Sequence, residues 1–283
     1  MKYNFNYIPK EEQDLNDKLI NLYGEHLLNL YVELKNIYDD DNKTTKPALP
    51  LLLWLKDDGK EYASADLKIV AFGVETNNWN NPSAGFLQPN FDLKNSDDVR
   101  AEIDRLQDLY NGYYNECDGK RTKFLKNGPD LLLEVFKKHF KGRKISVVWN
   151  NINKIGNGNK TNGNATGRPK SYIYEAENKT FDVVAKELEI LKPDIVVLMT
   201  GKVDEKYISN RFPEVAFYGG GKLQQNAEMN FSIGKGNLKP YVLYRSNPHP
   251  SARKDPRKKG FTKEMFSELY SLIANDIEEL NIC

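Results

Sequence analysis

Apolar residues recur at helical spacing through residues 10–38, at Leu19, Leu22, Tyr23, Leu27, Leu30, Leu34 and Tyr38, which predicts one amphipathic helix. Asp39–Asp41 and Pro47 end it. Four short runs have a different character: Lys68-Ile-Val-Ala-Phe-Gly73, Lys144-Ile-Ser-Val-Val-Trp149, Asp194-Ile-Val-Val-Leu-Met-Thr200 and Pro240-Tyr-Val-Leu-Tyr-Arg245. They are apolar almost without a break, as strands covered on both faces are. Helical patterns over 96–111, 128–141 and 178–192 separate them, Pro193 closes the last, and a final helix runs from about Thr262 to Leu280. Residues 155–169 are rich in Gly and Asn without periodicity and read as a long loop, and 219–237 reads as another. Strands alternating with helices predict an α/β fold, a three-layer α/β/α sandwich around a central, mostly parallel sheet of about four strands. Residues 1–60 read as a helical N-terminal extension packed on a main domain of residues 61–283.

In such sheets ligands bind outside the carboxyl ends of the strands. Each predicted strand is followed there by polar residues: Gly73-Val-Glu-Thr-Asn-Asn-Trp79, Asn150-Asn151, Thr200-Gly201 and Asn247-Pro-His-Pro-Ser-Ala-Arg253. Glu75 is placed to orient a water or to offset positive charge on a sugar. His249 sits between two prolines that fix its backbone, and a neutral imidazole there can stabilise an oxyanion. An asparagine carboxamide, at Asn150 or Asn151, offers the donor and acceptor that read a pyrimidine edge. Trp79 and Phe86 follow Glu75 and are candidates to stack on a base.

Composition narrows the partners. The 283 residues are 39% hydrophobic and 29% charged, with a net charge of +1, so no bulk field draws the chain to nucleic acid. A local field does exist: Arg253, Lys254, Arg257, Lys258 and Lys259 follow His249, offset only by Asp255, and suit phosphate contacts. Two cysteines, Cys117 and Cys283, provide neither a disulfide framework nor a four-cysteine metal site. Residues Met1 to Glu12 lack a signal-peptide layout, and the apolar run Ala48–Leu55 is far shorter than a membrane span. The expectation is a cytoplasmic monomer with no membrane partner, no metal and no cofactor.

Gly73-Val-Glu-Thr-Asn77, the strand ending in Asn150-Asn151, and Asn247-Pro-His-Pro-Ser251 together resemble the uracil-DNA glycosylase superfamily. The His249-Pro-Ser-Ala-Arg-Lys-Asp-Pro-Arg-Lys-Lys-Gly-Phe261 stretch resembles its single-strand-selective monofunctional branch. The resemblance implies Glu75 as the water-handling residue and His249 as the group that stabilises the departing base. It implies Asn151 as the base-reading asparagine, with Asn150 the second candidate, and Phe86 as the stacking aromatic. Gly73, Asn77 and Ser251 complete the base site, and Arg253 is the wedge that fills the gap left by a flipped base. Three positions depart from the family pattern: glutamate replaces Asp or Asn at 75, Thr76 replaces a proline, and Asn77 stands where a tyrosine or glycine controls access of the thymine methyl.

The expected activity is hydrolysis of the N-glycosidic bond of uracil or a related damaged base in single- or double-stranded DNA. One alternative is a non-catalytic module of the same fold that recognises a modified base or a DNA end, motivated by Glu75 and Thr76. The other is a small-nucleoside hydrolase whose 155–169 and 219–237 loops close over the ligand.

Overall fold

The computed structural model describes residues 10–55, 62–75, 91–116, 122–158, 168–201, 205–236, 241–252 and 261–280. Strand β1 (Leu67–Gly73) pairs in parallel with β2 (Ile145–Asn151) on one side and β3 (Ile195–Leu198) on the other. Strand β3 pairs in parallel with β7 (Val242–Asn247). The sheet then turns antiparallel: β6 (Asn226–Lys235) pairs with β7, and β4 (Ala216–Tyr218) and β5 (Lys222–Leu223) pair with β6. The result is an α/β fold on a mixed seven-stranded sheet of order β2-β1-β3-β7-β6-β4. The sheet exceeds the expected four strands because 219–237, expected as a loop, contains β5 and β6, and β4, just before it, was not expected. Met229, Phe231 and Ile233 alternate there with polar residues or glycine, the period of a half-exposed strand.

Alternate side chains of the parallel strands enter two cores. Val70, Phe72, Val196 and Leu198 pack against α1 (Lys10–Asp39), α2 (Ser96–Tyr110), α5 (Ser171–Thr180), α6 (Val184–Leu191) and α7 (Glu205–Arg211). Leu67, Ile69, Ala71, Ile195 and Val197 pack against α4 (Pro129–His139) and α8 (Lys263–Glu279) on the other face. This two-sided burial accounts for the unbroken apolar runs.

The helix expected over 178–192 is two helices, α5 and α6, parted at 181–183. The Thr180 hydroxyl donates back to the Ala176 carbonyl, and Phe181 leaves helical geometry to enter the core. Arg211 fills the notch, donating to Glu177 and Asp182 at the break. Helix α1 does not stand apart from the sheet, since Leu19 through Leu34 share one core with Val70 and Phe72. Residues 48–55, outside any helix or strand, pack beside it. Asn16 holds them by donating to the Leu55 carbonyl (2.8 Å) and accepting from the Leu55 N–H (2.9 Å). No described helix is long and apolar enough to cross a membrane.

Candidate active site

The carboxyl ends of the parallel strands open into a cleft of about 970 Å³. Strand β1 contributes Gly73 and leads into Val74 and Glu75, β2 contributes Trp149 and Asn151, and Thr200 follows β3. Asn247 ends β7, and the turn after it adds His249 and Ser251. Ala227, Glu228 and Asn230 of β6 form a wall that sequence reasoning missed. So do Tyr113, Arg168, and Thr122 and Phe124 at the start of the short helix α3 (Lys123–Asn127). Asn77, Phe86, Arg253, Lys254, Arg257, Lys258 and Lys259 lie outside the described residues.

Adjacent strand residues point to opposite faces, so only one of Asn150 and Asn151 can reach the cleft. Asn151 does. Asn150 is buried away from it, against the expected substrate-binding role. Its amide donates to Glu187 (2.9 Å), and its oxygen accepts from Lys154 Nζ (2.7 Å) and from the Asn151 backbone N–H (2.8 Å). Lys154 also donates to Glu187 Oε1 (2.7 Å), which accepts from the Tyr23 hydroxyl as well (2.7 Å). Asn150 thus ties Asn151 to a buried polar network.

Gly73 pairs with Asn151 across the β1–β2 ladder. A Cβ at Gly73 would stand 2.5 Å from Asn151 Oδ1 and 3.1 Å from the Phe124 ring, so only glycine lets Asn151 lean over the end of β1.

His249 is held on three sides. Its ring stacks on Phe124 at 5.1 Å and 27°. Gly201, at φ +59°, lets the His249 backbone pass where a Cβ would stand 2.7 Å from its nitrogen. Helix α3 clamps the turn, with Lys123 Nζ donating to Ala252 O (3.1 Å) and Asn127 Nδ2 to Pro250 O (3.4 Å). The Ser251 N–H donates to His249 Nδ1 (3.1 Å), so the neutral ring carries its proton on Nε2 and is a donor there. Burial lowers the imidazole from 6.5 to about 4, which keeps it neutral at physiological pH.

Glu75 behaves in the opposite sense to a surface carboxylate. Burial pushes its carboxyl up from 4.5 to about 7, and the nearby Arg168 guanidinium pulls it partly back. Glu75 Oε2, Asn151 Nδ2 and Thr200 Oγ1 are buried and make no hydrogen bond among the described residues. All three line the cleft. Buried polar atoms without partners are uncommon, and three around one cavity mark a place where a polar ligand completes the bonding. No protein-family model, no curated protein and no solved structure matches this chain. Any reading of its activity therefore rests on the chemistry of the cleft. Among the described residues, no group of three or more His, Cys, Asp or Glu is arranged to hold a metal ion.

Proposed function

We propose that the cleft receives one base, uracil or a related damaged base, flipped out of DNA, and that the chain hydrolyses its N-glycosidic bond. The reading rests on the convergence of Glu75, Asn151 and His249, from the ends of three strands, on one cleft. In the proposed reaction the Asn151 carboxamide reads the base edge. The bond between C1′ of the sugar and the base nitrogen breaks, and its electron pair leaves with the base. His249 Nε2–H donates to the base oxygen on which negative charge gathers, a stabilisation that a preorganised neutral donor supplies well. Glu75, as a carboxylate, orients the water that bonds to C1′, accepts its proton and offsets positive charge on the sugar. A carboxyl that titrates near 7 is matched to taking a proton at neutral pH.

Two further observations support this reading. The parallel block β2-β1-β3-β7, with helices against both faces, is consistent with a three-layer α/β/α core of the uracil-DNA glycosylase type. The basic segment between Ala252 and Phe261 is bounded by two residues that line the cleft, which suits a phosphate contact beside a bound base.

Glu75 also favours a second reading. Below pH 7 its carboxyl is largely protonated and can bind a base without activating water. Paired measurements of DNA binding and of abasic-site formation separate the two. Binding with release of base supports the glycosylase, and binding with no product from any damaged base supports a non-catalytic module.

A further inference from the structure

Beside Glu75 Oε2 and Asn151 Nδ2, a further atom of the cleft lining, Thr200 Oγ1, makes no hydrogen bond among the described residues. Thr200 is 3% exposed and lies two residues past the end of β3, with its hydroxyl shut away from bulk water although the residue lines the cavity. Strand β1 lies between β2 and β3. Asn151 and Thr200 therefore flank the end of β1, their backbones roughly 10 Å apart, two strand spacings. Between them is Gly73, and Asn151 Oδ1 lies 2.5 Å from where a Gly73 Cβ would stand. The Phe124 ring and Trp149 Nε1 come within 3.1 and 3.3 Å of the same point, so the end of β1 is packed by side chains and the cleft opens beyond it.

We propose that Thr200 is a substrate-contacting residue which, with Asn151, holds a carbonyl-bearing heterocycle in the cleft beyond the end of β1, each bonding a different polar group on the ring's rim. This rests on the base-binding reading above. The free Asn151 atom is an N–H donor, so it requires an acceptor on the ring. The Thr200 hydroxyl adapts, donating to a second carbonyl or accepting from a ring N–H. The pair selects a lactam or imide edge, and an apolar ring leaves both groups unsatisfied.

The test uses the full chain as wild type, Thr200→Val and Thr200→Ser. Valine keeps the shape and removes the hydroxyl, and serine keeps the hydroxyl. Free uracil is titrated calorimetrically, and kcat/KM is measured on an oligonucleotide carrying one uracil. Thr200→Val is expected to weaken uracil binding and lower kcat/KM by about tenfold, with serine restoring most of the loss. Its urea midpoint should be no lower than wild type's, because an unsatisfied buried hydroxyl has gone. A valine variant equal to wild type in both binding and incision overturns the role of Thr200 and leaves the base-binding reading standing. A wild type that neither binds uracil nor attacks the oligonucleotide overturns that reading, and this proposal with it.

Discussion

Glu75→Gln removes a charge from a place where burial disfavours it and leaves the side-chain volume almost unchanged. The carboxyl titrates near 7 in the folded chain, against an ordinary 4.5. Between those two values the unfolded chain has released the proton and the folded chain still holds it. The folded state then binds more protons, so stability is fully present below 4.5 and is lost as pH rises through 7. A rise of that size corresponds to about 3 kcal/mol. Glutamine carries no such penalty. The variant is therefore expected to match wild type closely near pH 4.5 and to be more stable by up to about 3 kcal/mol above pH 8. Urea unfolding across this range, followed by tryptophan fluorescence, to which the buried Trp149 contributes, measures the difference. Equal midpoints at high pH, or a wild type more stable there, would refute the account of a desolvated Glu75. The same substitution is expected to abolish base release. Such a gain in stability with a loss of activity is the exchange expected where a site holds a group in an unfavourable state.

Three other outcomes are expected. The rate of base release should rise with pH to a plateau above about 7 as Glu75 loses its proton, with no second ionisation between 5 and 9, because His249 stays neutral; a bell-shaped profile would count against these roles. Gly73→Ala should push Asn151 out of place and lower kcat/KM at least about tenfold, with a stability loss of about 1–3 kcal/mol from the 2.5 Å approach; unchanged kinetics in the folded variant would show that Asn151 does not hold the substrate. Lys154→Met strands the Glu187 carboxylate in the core and should lower stability by about 3–5 kcal/mol in urea; a variant as stable as wild type would contradict the buried pairing.

The parallel strands were legible because each is buried on both faces and reads as an unbroken apolar run. Strand β6 was not, because it is covered on one face only. Its Met229, Phe231 and Ile233 alternate with Glu228, Asn230 and Ser232 in a stretch rich in glycine and asparagine. The break between α5 and α6 was hidden by an apolar pattern that continues through Phe181 and Val183, both core residues. Glu75, Asn151 and His249 were recognisable by their places after strands. The choice between Asn150 and Asn151 was not, because it depends on which face of β2 lies beside Gly73 and which beside Glu187. Phe124 gave no signal among lysines and arginines, since its place beside His249 comes from the packing of α3 on the last turn. Thr200 was visible as a polar residue after a strand, but only its buried, unpartnered hydroxyl singles it out.

The most direct test of the central claim is base release from labelled single-stranded and double-stranded oligonucleotides carrying one uracil, with alkali to reveal abasic sites, for wild type and Glu75→Gln. The account predicts cleavage at the uracil position by wild type and its loss in the variant, although the variant is folded and at least as stable. A Glu75→Gln protein that cleaves as fast as wild type would contradict the proposed chemistry. A wild type that leaves uracil and other damaged bases intact in both strand forms would contradict the glycosylase reading itself.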